Sequence, residues 1–355
     1  MKRFSRYLSA ALAVLLLAVY VMPTSAATPP SSSGLSITPK KNYIINPGQT
    51  IKDKLTVGNL DKTADLHVSL RMIDFTYMNQ SGTPKLSIDQ NASPTPWSLR
   101  SFTTLPKGLD IPAGGSKTVE YSITIPKNLG AGSYYSAILY QAGAASGGNV
   151  ALNASGVTLA FVSVPGKVNE KMTLQKFGAY NSNDSGATGS FVFIDVREQP
   201  KAMAFTLKNE GNVFESPAGN IIVKDMFGHQ VANIITNSNS SLALLGQTRL
   251  FTSCIKTVKQ TVQALGGTSK NTSCTDPKLK PGRYTAHLDI LYGQNGNESH
   301  EITATASFWY LPFWFLALLL VLIAALIVGG FWLKKKIQLA VKGTTYKQGK
   351  GIKRR

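Results

Sequence analysis

The chain has 355 residues, 37 Lys or Arg against 18 Asp or Glu, a formal net charge of +19 and two cysteines. A chain of this length with 43% hydrophobic residues supports more than one folded domain and excludes a disordered polyelectrolyte. The basic excess is concentrated in two terminal segments. The region between them nets +7 and carries no nucleic-acid motif, so a nucleic-acid binder is excluded.

The first segment opens with Lys2, Arg3 and Arg6, continues through an uncharged apolar run from Tyr7 to Met22, and ends in Pro23-Thr24-Ser25-Ala26-Ala27. This order predicts a signal peptide over 1–27, cleaved after Ala26 or Ala27. The alternative is an uncleaved anchor, for which the run is short against the ~20 residues a span needs. Residues 28–34 are Pro- and Ser-rich and read as a flexible leader.

Runs of alternating polarity then recur between turn signals. Strands are expected at Leu35–Pro39, Ile51–Asn59, Leu66–Tyr77, Ser116–Pro126, Tyr134–Ala142 and Ala151–Val164. The pattern repeats at an offset of 150 positions: Asn59 ends one strand as Asn209 ends another, and Gly132 precedes Tyr134 as Gly282 precedes Tyr284. The expected fold class is therefore all-β: two tandem immunoglobulin-like β-sandwich domains, 35–165 and 171–307, then one C-terminal transmembrane helix. Tyr134 and Tyr284 are expected to bury their rings and tie their hydroxyls to backbone, as in a tyrosine corner.

Within the second domain, Leu245 to Leu279 has weak strand signals. Thr257 to Leu265 reads as a short helix ended by Gly266-Gly267. Cys254 and Cys274 are expected to form a disulfide closing this excursion, since an exported region meets an oxidising compartment; two free thiols are the alternative. Lys256, Lys259 and Lys270 make the excursion basic and name it as a candidate surface for an anionic partner, against the reading of three solvated lysines. A second candidate loop, Gln141–Asn149, is small and uncharged and reads as a linker. Trp97, which could stack on a sugar, is expected to pack over the end of a sandwich.

No charge interrupts Ile302 to Leu333. The densest part, 311–333, is long enough to cross a ~30 Å hydrocarbon core, with Trp309, Tyr310, Trp314 and Trp332 near its ends. The tail 334–355 carries nine Lys or Arg and no acid. The positive flank predicts a single-pass type I protein of the cell membrane, β domains outside and C-terminus in the cytoplasm.

No catalytic constellation, phosphate loop, cofactor motif or metal-ligand spacing occurs. His67, His229, His287 and His300 stand singly, so no enzyme, cofactor or metal is expected. Seven Asn-x-Ser sequons, the first at Asn79, matter only in a host that glycosylates Asn.

Asn46-Pro47-Gly48-Gln49, the strand ending at Asn59, Ile111-Pro112-Ala113-Gly114, and Gly130 to Ala137 together resemble the first domain of bacterial WxL-interacting surface proteins, and more distantly the N-terminal domain of periplasmic pilus chaperones. The resemblance implies peptidoglycan binding by the first domain and a secreted-protein partner for the second. The cysteine pair departs from that pattern. The function expected is a membrane-anchored binding or scaffold protein that holds a cell-wall polymer or another exported protein near the membrane. The alternative is a chaperone-like assembly factor adding a strand to secreted subunits; a hydrolase with an unrecognised site is a third.

Overall fold

The structure is a computed structural model and describes residues 34–89, 91–143, 155–182, 189–264, 267–293 and 299–348. The signal segment 1–27, most of the leader, most of the Gln141–Asn149 loop and the end of the basic tail lie outside the described residues.

The first half runs β1 (Leu35–Ser36), β2 (Lys40–Ile44), β3 (Thr50–Asn59), β4 (Leu66–Ile73), β5 (Phe75–Met78), β6 (Thr83–Leu86), β7 (Thr103–Thr104), β8 (Gly108–Ile111), β9 (Ser116–Thr124), β10 (Gly132–Gly143) and β11 (Ser155–Val164). A four-stranded sheet, β1-β3-β9-β7, packs on a five-stranded sheet, β2-β11-β10-β4-β8. Val57 and Ile123 of one and Val68, Ile138 and Val162 of the other meet in a common buried core. Their period-two spacing is what a sandwich strand with one wet face requires.

The second half runs β12 (Met172–Ser182), β13 (Gly189–Val192), β14 (Ile194–Asp195), β15 (Ala202–Asn209), β16 (Ala218–Asp225), β17 (Gln230–Thr236), β18 (Thr248–Cys254), β19 (Thr257–Ala264), β20 (Gly267–Cys274), β21 (Gly282–Tyr292) and β22 (His300–Tyr310). Sheets β13-β12-β15-β18 and β14-β22-β21-β16-β17 enclose a second core around Phe205, Leu207, Ile221, Phe251 and Leu288. The chain thus folds as two tandem immunoglobulin-like sandwiches.

The repeated residues fill equivalent places. Asn59 and Asn209 are both buried. Asn59 Nδ2 donates to Ala64 O at 2.8 Å, and Asn209 Nδ2 to Val213 O at 2.7 Å. Each Oδ1 accepts the backbone N–H two residues on, from Asp61 at 3.0 Å and Gly211 at 2.9 Å. Tyr134 and Tyr284 tie their hydroxyls to backbone as expected, donating to Gly130 O at 2.9 Å and Lys280 O at 2.7 Å; the Tyr284 ring is buried, whereas the Tyr134 ring is only half-buried.

A third buried cluster joins the halves. Phe75, Tyr135 and Phe161 of the first pack with Leu242 and Leu244 of the second. Polar bonds fix the register across it: Tyr77 N donates to Gln247 Oε1 at 2.8 Å, Phe214 N to Ser133 Oγ at 3.0 Å, and Leu250 N to Gln80 O at 2.9 Å. The Arg249 guanidinium lies 4.8 Å from the centre of the Tyr77 ring. Trp97 belongs to this cluster, its indole stacked on Tyr135 at 5.6 Å.

Three expectations are corrected. Thr257–Ala264 is a strand, not a helix; it pairs antiparallel with Gly267–Cys274, which matches its β-branched Thr257, Val258, Thr261 and Val262. The last strand, His300–Tyr310, runs three residues past Ser307, the expected end of the second domain. The apolar helix, α1 (Phe313–Gln348), starts two residues later than expected and carries Lys334-Lys335-Lys336 within it. Its stretch Phe313–Leu339, 27 residues, is long and apolar enough to cross a membrane and none of it is buried against the sandwiches.

Candidate functional site

Two features of the second sandwich stand out once the strands are placed. The first is an edge. β22 pairs with β21 along all eleven residues without a bulge. On its other side, among the described residues, β14 covers only Trp309 and Tyr310, in parallel. In the first sandwich the equivalent parallel strand, β2, covers five residues of β11, Leu159 to Ser163.

The backbone direction at this edge follows from two bonds. Trp309 N donates outward to Phe193 O at 2.8 Å, and Leu311 N to Asp195 O at 2.9 Å. By the two-residue period, the N–H and C=O of Glu301, Thr303, Thr305 and Ser307 also point away from β21. Glu301, Thr303 and Thr305 carry exposed side chains on the outer face, while Ile302, Ala304 and Ala306 turn inward. Proteins usually blunt such an edge with Pro, Lys, a bulge or a short strand. Between His300 and Ser307 this edge has Glu301 as its only acid and no Pro or Lys.

The second feature is the end of the sandwich from which α1 leaves. A cavity of 480 Å³ opens there, lined by Asp225, Met226, Phe227, Ile255, Lys256 and the loop Pro277–Tyr284. The β19–β20 hairpin springs from the same end. Cys254 and Cys274 are bonded at its base with Cα atoms 5.1 Å apart, and Thr257 sits opposite Cys274. The structure separates the three lysines named from sequence. Lys256 lines the cavity, whereas Lys259 lies on the hairpin opposite Thr272, exposed. Lys270 is opposite Thr261 in the same hairpin, and its side chain lies outside the described residues.

The four histidines have local partners. His67 contacts Asp110 at 2.5 Å, His229 contacts Asp225 at 3.2 Å, His287 contacts Thr305 Oγ1 at 3.1 Å, and His300 stacks on Tyr292. Among the described residues no three His, Cys, Asp or Glu gather as a metal site. In the first sandwich, Lys41, Tyr43, Asp53 and Tyr121 form a network tying β2 to β3 and β9. Lys41 Nζ and the Tyr43 hydroxyl reach Asp53 Oδ2 at 2.9 and 2.5 Å, and the two tyrosine hydroxyls bond each other. Burial opposes ionisation of Asp53, but the bonds from Tyr43 and Lys41 outweigh it and hold the carboxyl at about 2. Burial pushes Tyr121 up to about 12, and burial with the Asp53 bond raises Tyr43 further.

Sequence reasoning found the cysteine pair, the tyrosine corners and the packing role of Trp97. It missed the edge of β22, whose only local signal is the unguarded run Glu301-Ile-Thr-Ala-Thr-Ala-Ser307.

No protein-family model and no curated sequence matches this chain. The likeness to the WxL-interacting proteins therefore stays one of motif and layout. Solved structures similar to it include the Salmonella enterica SafB chaperone in complex with the SafA pilin, at 7% identity over 77% of this chain and 97% of that one, TM-score 0.35. The class 5 fimbriae chaperone CfaA matches at 10% identity over 77% and 98%, TM-score 0.34. The E. coli chaperone DraB matches at 11% identity over 76% and 98%, TM-score 0.33. At such scores these are distant likenesses, and the functional reading rests on this chain's own surfaces.

Proposed function

We propose that this chain is a membrane-anchored binding or scaffold protein whose sandwiches stand outside the membrane and hold an exported protein near it. The observation that carries the partner's chemistry is the open edge of β22. A row of outward N–H and C=O groups at Glu301, Thr303, Thr305 and Ser307 offers the ladder an extended segment needs, and main-chain pairing supplies the affinity. The apolar stretch of α1 supports the anchor. The export signal and the basic flank Lys334-Lys335-Lys336 support the orientation.

A photo-crosslinking residue at Thr303, in cells, tests it. A discrete protein adduct is expected. The change Thr305→Pro removes one outward N–H without touching the β21 ladder, so it should abolish the adduct while the protein still folds. Ala304→Pro, one residue away, removes an inward N–H and should instead lower stability. An adduct that persists in Thr305→Pro would overturn strand addition. A wall polymer is the ligand instead if the protein sediments with protein-free sacculi and Thr305→Pro leaves that unchanged. The same edge serves the chaperone-like alternative. Pulse labelling separates the two, since a client adduct chases away and a scaffold adduct stays.

A further inference from the structure

The end of the second sandwich that faces α1 carries a second surface, independent of the edge. Its position relative to the helix follows from register. Tyr284 on β21 is flanked by Asp225 of β16 and Phe308 of β22. From that row β22 continues two residues to Tyr310, and β16 continues into the turn Met226-Phe227-Gly228. At ~3.3 Å per residue β22 gains about 7 Å beyond Tyr284. The turn Met226-Phe227-Gly228 projects past Tyr284 on the same side as Tyr310, which stands three residues ahead of the first residue of α1.

The turn itself is built for a different tip. Asp225 Oδ1 accepts the N–H of Phe227 and of His229, both at 2.9 Å, and Gly228 N returns to Asp225 O at 3.0 Å. Gly228 closes it at φ 85°, a conformation glycine adopts without penalty. Asp and Gly occupy the positions such a turn asks for. The two residues at the tip, normally polar, are Met226 and Phe227, exposed by 52% and 77%. Phe193 and Ile194, beside Trp309, are also exposed at this end.

Cations surround this tip. Lys256, Lys278 and Lys280 are all exposed and line the same cavity. The loop that carries Lys278 and Lys280 is held in place: Tyr284 donates to Lys280 O, and Leu279 N donates to Gln199 Oε1 at 2.7 Å. Of the nearby acids, Asp225 is turned into its own turn, Asp195 beside Tyr310 is buried and accepts from Asn181, and Asp276 stands at the start of the loop. An apolar tip, cations fixed beside it and an apolar helix leaving from the same end of the sandwich together match one occupant, the headgroup layer of a bilayer with anionic lipid.

We infer that this end is a membrane-contact surface: Met226 and Phe227 enter the interfacial layer, and Lys256, Lys278 and Lys280 hold anionic phospholipid headgroups. The inference rests on the reading that α1 is inserted.

The test uses the full chain in nanodiscs, with the Cys254–Cys274 bond kept oxidised. A nitroxide is placed at Met226→Cys, and, in a second variant, at Leu322→Cys in the middle of α1. Its exposure to oxygen is compared with exposure to a water-soluble nickel chelate. In discs of phosphatidylglycerol with phosphatidylcholine, the Met226 label should favour oxygen. In phosphatidylcholine alone, or in Lys278→Glu with Lys280→Glu, the inserted fraction should fall by roughly fivefold per cation lost. A nickel-favouring Met226 label with an oxygen-favouring Leu322 label overturns the inference and leaves the anchor standing. Nickel-favouring labels at both sites overturn the anchor, and the inference with it. Insertion that ignores headgroup charge and the lysine changes overturns the cationic half. A Met226 label shielded from both reagents in every lipid means a protein contact and overturns the whole.

Discussion

Asn59 and Asn209 show how much a single side chain can hold. Each is buried at the end of a strand and closes the following turn from both sides, accepting one backbone N–H and donating to a carbonyl of the turn and to one of a distant segment, Pro112 O for Asn59 and Ala243 O for Asn209. Asn209→Ala leaves those groups unpaired in the interior and should cost roughly 2–3 kcal/mol, read as a lowered denaturant midpoint. Asn209→Asp, which keeps the acceptor but not the donor, should recover only part of that. These residues were legible in the sequence because the turn bonds, Asn59 with Asp61 and Ala64 and Asn209 with Gly211 and Val213, lie within a few positions, so the motif survives as a repeat. The Lys41–Tyr43–Asp53–Tyr121 network was not legible, because it exists only once β2 has crossed to pair with β11. Its pH signature has a definite sign. Asp53 is held at about 2 against an ordinary 3.8, so its contribution is present above about pH 4 and is lost as pH falls towards 2. Tyr121, raised from 10.0 to about 12, contributes below pH 10 and loses that as pH rises towards 12. The stability gap between the natural protein and Asp53→Asn should therefore close across the acid window. A gap that stays constant between pH 6 and pH 2 would assign the network no electrostatic role.

Among the elements, the β19–β20 hairpin is stapled at its root by the Cys254–Cys274 bond, and backbone bonds flank the staple. Thr275 N donates to Lys256 O at 3.0 Å just beyond the disulfide, and Ile255 N to Lys201 O at 2.9 Å. Replacing Cys254 and Cys274 by Ser frees a loop of 20 residues and should cost about 3 kcal/mol in the chain-entropy account. Limited proteolysis should then cut within 257–274 while the sandwich stays intact. Loss of the whole domain to protease would mean the hairpin is part of the core instead. The staple was readable from cysteine count and export. The strands were not, because Gly266-Gly267 marks a helix end as readily as a hairpin tip, and long-range pairing alone decides between them. The open side of β22 was hidden for a related reason: edge status belongs to the sheet, and no residue in 300–310 reports that β14 stops after two pairings.

At the scale of the molecule, the two sandwiches share one apolar cluster rather than a linker. Phe75, Tyr135 and Phe161 are fully buried in a cluster to which the second half contributes Leu242, Leu244 and Phe214. The two halves should accordingly melt in one calorimetric transition. Phe161→Ala, which costs roughly 3–5 kcal/mol as a buried aromatic truncation, should split it into two. Two transitions in the natural protein would show that the cluster does not couple them. Composition and repeat gave the number of sandwiches. Their docking depends on which face of β10 and β11 is left uncovered by the first core, and neither strand's pattern distinguishes its two buried faces.

The junction at Pro312 has a mechanical meaning. β22 passes into α1 across Leu311 and a buried Pro312, with Leu311 N held by Asp195 O and Phe315 N by Pro312 O. No slack separates sheet from helix. Tension between a load carried by the first sandwich and an anchor at α1 therefore runs along β22, parallel to the strand. The eleven pairings with β21 meet that tension in shear, all stretched together, instead of peeling one by one. Pulled from its helix, the second sandwich should resist as a clamp. Inserting a few glycines after Pro312 should leave that rupture force unchanged but let the whole arm swing before it is felt.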